Sequence, residues 1–326
     1  MRAIVCTEYG SPDSLSLQEL AEPPLQAGQV RVAVKAAGVN FVDSLLVAGS
    51  YQIKIPPPFT PGGDIAGVVS EIGDGVEHFA VGDRVLGSPG IGGFAESVVL
   101  TAEQLTAIPD GMGDDAAATF VQAHATAYYA LVNRGQLLAG ETLLVLGAAG
   151  GTGIAAIHVA KALGARVIAA ASSEQKLAAC IAAGADATIN YSEQDLKTQA
   201  KQLSGGKGVD LVFDPVGGDY SEAALRACAP GARFLVVGFA AGDIPRIPLN
   251  LVLLKKCQIV GVDWGGSVLL DLPLYQRVCD EIIALYQQGK LPDPPFSHYA
   301  LADTGRALAD LQQRKVAGKA VVLPGQ

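Results

Sequence analysis

The chain has 326 residues, half of them apolar and 17% charged, with a net charge of -9. That length exceeds one ordinary core and sets a prior of about two domains, while the apolar content excludes a disordered chain. The acidic balance disfavours a nucleic-acid or anionic-membrane binder, because such a surface repels phosphates.

The N-terminal MRAIVCTEYG reads as a strand running into a turn, without the apolar run and cleavage site of a signal peptide. No stretch of about 18 apolar residues lacks a breaker, so no membrane span is expected and the cytoplasm is the default. The first hundred residues are β-rich. Short apolar runs at 30–34, 65–72 and 95–100 are bounded by Gly, Pro and Asp, as in a barrel or sandwich. Pro56, Pro57, Pro58 and Pro61, with Gly62 and Gly63, demand an extended loop.

The text changes near Asp114. An alanine-rich helix is expected over 115–134, with acids at its start. Strands at 143–146, 166–171, 188–190, 211–214, 234–237 and 259–262 follow, with helices at 151–163 and 174–183 between the first of them. Such alternation predicts a doubly wound parallel sheet with helices on both faces. Beyond 265 come an amphipathic helix (273–288), a Pro-rich turn, a helix (302–313) and a strand (319–323).

The strand at 143–146 runs into Gly147-Ala148-Ala149-Gly150-Gly151-Thr152-Gly153 and then a helix. The register Ala148, Gly150, Gly153 is A-x-G-x-x-G. Gly150 lets the backbone approach a pyrophosphate, Gly153 lets helix and strand pack closely, and the amides of Gly151 and Thr152 belong to the anion-binding helix start. A glycine loop alone is weak evidence; one between a buried strand and a helix is a dinucleotide site. An NAD-type acid is expected about 20 residues further on. The chain reads Ser172-Ser173 there, with Lys176 on the next helix. A neutral hydroxyl with a cation nearby suits a 2′-phosphate, so NADPH is expected over NADH. Glu174 counts against that choice.

Cys6, Cys180, Cys228, Cys257 and Cys279 are odd in number and form no C-x-x-C pair, as expected of inert thiols in a reducing compartment. His78, His124, His158 and His298 are dispersed, and no Cys/His cluster has ligand spacing, so no metal is expected. His158 and His124 read as packing residues on helices.

The chain resembles the zinc-free quinone oxidoreductases of the medium-chain dehydrogenase/reductase superfamily, related to zeta-crystallin. The resemblance is carried by Gly38-Val39-Asn40-Phe41-x-Asp43, Gly49-x-Tyr51, Pro58-Phe59-x-Pro61-Gly62-x-Asp64-x-Ala66-Gly67, Val81-Gly82-Asp83-Arg84-Val85, the coenzyme loop, Asp214-Pro215-Val216-Gly217-Gly218 and Val237-Gly238-Phe239. Asp64 stands where the family usually has Glu, and Ala149 where it often has Ser.

The resemblance implies a GroES-like catalytic domain (1–122 and 266–326) with a Rossmann NADP-binding domain (123–265) inserted in it, the active site in the cleft between, and a homodimer formed through the sheet edge near 259–262. It places Asn40, Asp43 and Tyr51 near nicotinamide and substrate and Thr126 against the cofactor. Ser172, Lys176 and Tyr191 would surround the 2′-phosphate, and Phe239, after Gly238, would cover the nicotinamide. Read from residue type alone, Asn40 also suits a turn, Asp43 a helix cap, and Tyr51 a proton donor or a pocket wall.

The expected activity is metal-free hydride transfer from NADPH to quinones or related electrophilic carbonyl compounds, which need less help than a simple carbonyl because hydride addition spreads charge over a delocalised system. The alternatives are an enone or enoyl-CoA reductase, acting on acryloyl-CoA for example, and a non-catalytic NADPH-binding protein.

Overall fold

A computed structural model describes residues 1–313, 315–316 and 318–326, the side chains of 268 and 269 apart. The chain divides into two compact units, one of Met1–Gln122, Asp271–Cys279 and Asp293–Gln326, the other of Ala123–Leu270 and Asp280–Pro292.

The strands in chain order are β1 (Arg2–Val5), β2 (Ser16–Glu19), β3 (Gln29–Gly38), β4 (Asp64–Ile72), β5 (Arg84–Gly87), β6 (Ser97–Thr101), β7 (Leu105–Ala107), β8 (Thr142–Val145), β9 (Arg166–Ala171), β10 (Ala187–Asn190), β11 (Val209–Asp214), β12 (Cys228–Val236), β13 (Gln258–Gly261), β14 (Phe296–Ala300) and β15 (Lys319–Leu323). The helices are α1 (Phe41–Val47), α2 (Asp114–Tyr128), α3 (Gly151–Ala162), α4 (Glu174–Ala182), α5 (Leu196–Leu203), α6 (Asp219–Ala227), α7 (Leu249–Lys255), α8 (Trp264–Leu270), α9 (Leu272–Gln287) and α10 (Thr304–Gln312).

In the first unit β1 and β2 pair as a hairpin, and a larger sheet runs β14-β15-β3-β4-β5-β7, with β6 also on β3. β3 is its spine. Alternate residues Val30, Val32 and Val34 are buried, and with Ile65, Val69, Val85, Phe94, Leu100 and Val322 they form the core. β15 returns from the end of the chain to lie antiparallel to β3, Val321 opposite Gly38. Gly38 admits no side chain, since a Cβ there would stand 2.2 Å from the Ala118 carbonyl oxygen. β3 therefore delivers the chain directly beneath α2 and into α1.

The second unit is an all-parallel sheet in the order β10-β9-β8-β11-β12-β13. Its central strands are buried on both faces, which is why 143–146 and 167–170 read as unbroken apolar runs. The order reverses between β8 and β11, the switch point outside whose carboxyl ends such sheets bind ligands. α2 closes in a single π-helical turn, Tyr129–Arg134. Cys180, Cys228 and Cys257 are buried here and Cys6 and Cys279 in the first unit; all five are free thiols. Burial raises Cys6 and Cys257, and lifts Cys180 to about 11 and Cys228 to about 12. His158 stacks on His124 with ring centres 6.0 Å apart, and burial lowers its pKa. No described helix is long and apolar enough to cross a membrane.

Candidate active site

The candidate side chains fall into two groups, one in each unit. In the second unit, β8 ends in a turn whose Gly147 has φ 56°, the left-handed region that favours glycine. The Gly150 amide then donates to the Gly147 carbonyl at 2.9 Å, and Gly150 caps α3. A Cβ on Gly153 would stand 2.6–2.7 Å from Ala148 and Gly147 backbone atoms. Helix and loop touch without room for a methyl, and the α3 N-terminus is pressed against the end of β8. Gly150 and Gly151 are exposed and Thr152 half-buried, so the first amides of α3 face open space. Such an end binds a diphosphate through backbone donors and the helix dipole. These residues fit a dinucleotide.

At the end of β9, the Lys176 ammonium donates to the Ser172 hydroxyl at 3.0 Å. The Ser192 hydroxyl donates to the Ser172 carbonyl at 3.2 Å, tying the ends of β9 and β10 together. Tyr191 packs against Tyr220 with ring centres 4.3 Å apart. Glu174, the acid that weighed against a 2′-phosphate, accepts from Asn190 Nδ2 at 3.1 Å. Its charge is engaged by that amide.

Asp214, at the end of β11, organises the neighbouring loop. Its Oδ1 accepts from the amides of Val216 and Gly217, both at 2.9 Å, and its Oδ2 from the Ser221 hydroxyl. Gly238 donates to the Asp214 carbonyl, and Phe239 lies against Gly217, where a Cβ would meet its ring at 2.9 Å. Thr126 is buried on α2. Sequence reasoning quoted Asp214 only as part of a motif. A carboxylate closing the apolar run Leu211-Val212-Phe213 was the available signal.

In the first unit, Asn40 caps α1, and its amide N–H donates to Asp43 Oδ2 at 2.7 Å. Asp43 is therefore the helix cap that residue type allowed. It is wholly buried, and its Oδ1 lacks a hydrogen-bond partner among the described residues. Burial pushes its carboxyl up to about 7, helped by the neighbouring Asp64 charge and opposed by the Asn40, Gly63 and Gly62 amides. Asn40 Nδ2 donates to Asp64 Oδ2 at 3.0 Å, Gln122 N–H to the same oxygen at 3.2 Å, and the Ser88 hydroxyl to Asp64 Oδ1. Burial raises Asp64 too, against the pull of Ser88, Asn40, Lys319 and the Gln122 amide. Tyr51 lies beyond α1, half-buried against the core. Asp64, Ser88, Gln122 and Lys319 escaped sequence reasoning as a set, because they come from distant parts of the chain. Among the described residues no group of three or more His, Cys, Asp and Glu side chains is placed to hold a metal ion.

Residues 26–110 match the alcohol dehydrogenase GroES-like domain, and residues 151–280 the zinc-binding dehydrogenase family. Quinone oxidoreductase-like protein 2 of Bos taurus is 38% identical over 98% of this chain and 92% of its own. The quinone oxidoreductase of Pseudomonas aeruginosa is 33% identical over 97% of each. Among solved structures, Escherichia coli quinone oxidoreductase complexed with NADPH superposes with a TM-score of 0.92 at 28% identity, covering 99% of this chain and 100% of that one. CurK enoyl reductase gives 0.89 at 28%, covering 99% and 98%. The GroES-like sheet built on β3, the Rossmann sheet built on β8 and these full-length likenesses place the chain in the quinone oxidoreductase family of the medium-chain dehydrogenase/reductase superfamily.

Proposed function

We propose that the protein transfers hydride from NADPH to quinones or related conjugated carbonyl compounds. The observation that carries the cofactor choice is the hydroxyl–ammonium pair of Ser172 and Lys176, with Glu174 held by Asn190. Lys176 and Ser172 hold the 2′-phosphate beside Tyr191, and the amides of Gly150, Gly151, Thr152 and Gly153 hold the pyrophosphate, with Ala148 beneath them. Thr126, Gly238 and Phe239 bound the nicotinamide end. Bound there, NADPH supplies the hydride. Asn40 orients the acceptor or the ribose, Asp43 holds Asn40 in place from below, and Tyr51 offers a hydrogen bond to the oxygen on which negative charge develops. The Escherichia coli quinone oxidoreductase that superposes on this chain is itself complexed with NADPH, which supports the choice.

Lys176→Glu is expected to weaken NADPH binding roughly 100-fold, about 3 kcal/mol, with little change for NADH. Fluorescence titration of both cofactors measures this. Equal losses, or none, overturn the assignment. NADPH oxidation against a panel of quinones, enones and acryloyl-CoA tests the acceptor. The likeness to CurK enoyl reductase favours a second reading, reduction of an enoyl thioester, and turnover of acryloyl-CoA alone would select it.

We also propose a cytoplasmic homodimer paired through β13, the edge of its sheet. Ile259 on that strand is 43% exposed, and Leu249, Leu253 and Leu254 of α7 are each more than 70% exposed. An apolar edge of this kind is a template for strand addition. Ile259→Asp is expected to sediment as a monomer, where the unaltered chain sediments as a dimer.

A further inference from the structure

An asparagine amide has two orientations of similar shape, and which one a ligand meets depends on its neighbours. At Asn40 the neighbour is Asp64, whose Oδ2 also accepts from the Gln122 N–H and so stands as an acceptor. Asn40 therefore turns its Nδ2 toward Asp64 Oδ2, at 3.0 Å. Asp64 cannot swing away. It is 1% exposed, and its two oxygens also receive the Ser88 hydroxyl and the Gln122 amide. The positive charge comes from β15. With Val321 opposite Gly38, Lys319 lies two residues before that pair on an antiparallel strand, level with Asn40, and it attracts Asp64 electrostatically.

We propose that Asp64, held by Ser88 and the Gln122 amide and balanced by Lys319, is a positioning residue that fixes the side chain of Asn40 toward its ligand. The proposal rests on the reading that Asn40 serves the hydride-transfer site. The titratable groups facing Asp64 are Asp43 from α1, Tyr275 from α9 and Lys319 from β15. Burial, with Cys279 and Asp64 beside it, holds the Tyr275 phenol well above its ordinary range, so it stays neutral. Asp43 gains its charge near pH 7, and Lys319, lowered to about 8 by burial, loses its own just above. Beyond that point Asp64 loses the attraction of the Lys319 charge, and the hold on Asn40 loosens.

The experiment compares Asp64→Asn, Asp64→Glu, Lys319→Arg and Lys319→Met with the unaltered chain, by pH-dependent steady-state kinetics and by NMR of the Asn40 side-chain amide, assigned through its loss in Asn40→Ala. Asp64→Asn should lower kcat roughly 10- to 100-fold with KM for NADPH nearly unchanged, and Asp64→Glu should recover part of the loss. The fall in kcat above about pH 8 should move out of range in Lys319→Arg and extend to neutral pH in Lys319→Met. The Asn40 amide protons should be shifted downfield and slow to exchange, and should lose both properties in Asp64→Asn. Unchanged kcat in Asp64→Asn, or the same alkaline fall in Lys319→Arg, overturns the proposal. If no acceptor in the panel is reduced, the hydride-transfer reading fails by itself. An Asn40 amide signal unmoved by Asp64→Asn overturns the positioning role whatever the activity.

Discussion

Gly153→Val is expected to lose NADPH binding by roughly 100-fold or more and to destabilise the protein by about 3 kcal/mol. Both effects have one origin. The new Cβ would lie 2.6–2.7 Å from Ala148 and Gly147 backbone atoms, and backbone cannot rotate aside as a side chain can. Either α3 lifts off the end of β8 or the loop is pushed outward, and in both cases the anion-binding amides lose their common focus. Gly150→Ala separates the two effects. Its Cβ would meet only the Gly147 carbonyl oxygen, at 3.3 Å, at an ordinary negative φ. That variant should keep most of its melting temperature and still bind NADPH less well, because the methyl occupies the approach to the pyrophosphate. Thermal melts alongside fluorescence titration decide the matter. A Gly153→Val protein that binds NADPH normally would show that helix–strand contact is not what shapes the loop.

The second large effect is on stability. Asp43 is fully buried, and its carboxyl stands near 7 against an ordinary 3.8. The groups facing it are Asp64 from β4 and the amides of Asn40, Gly62 and Gly63. A folded-state pKa above the unfolded one means that the native chain binds more protons between the two values. Its contribution is therefore fully present below about pH 4 and is lost as pH rises through 7, a change on the order of 4 kcal/mol. Asp43→Asn removes the charge and keeps an oxygen able to accept from the Asn40 amide. The stability difference, variant minus unaltered chain, should rise by that order between pH 4 and pH 8 in denaturant titrations. Lys319 has the opposite sign. Its depressed pKa gives a contribution present above its ordinary value of 10.5 and lost as pH falls through about 8. A flat difference for Asp43→Asn across the range would mean that the buried carboxyl is ionised at no cost.

The parallel sheet was legible in the sequence because each strand there is a short apolar run stopped by a turn or helix signal. The strands from β8 to β13 fall at or close to the expected positions, though β12 begins six residues earlier than the apolar run suggested, at Cys228 through Pro230 and Gly231. The shorter elements of the first unit were not legible. β5 and β7 have four and three residues, too few for a period to emerge, and α1 has seven. α6, too, opens on Gly218-Asp219, where glycine and acid suggest a loop until Asp214 is seen gathering the turn around its carboxylate. The coenzyme loop could be read because its parts are contiguous. The cluster at Asn40 could not, because Asp64, Ser88, Gln122 and Lys319 become neighbours only when β15 returns to β3 and α2 crosses above it. Asp43 was named for the site; the structure shows it wholly buried, accepting from the Asn40 amide at the start of α1.

Every cysteine of the chain is a buried thiol, and burial keeps Cys6, Cys180, Cys228 and Cys257 protonated. Thiolates add to quinones and enones, and a thiol in the open would be arylated by the acceptors proposed here. Keeping all five sulfurs protonated or buried makes the protein a poor target for covalent addition by electrophiles of that class.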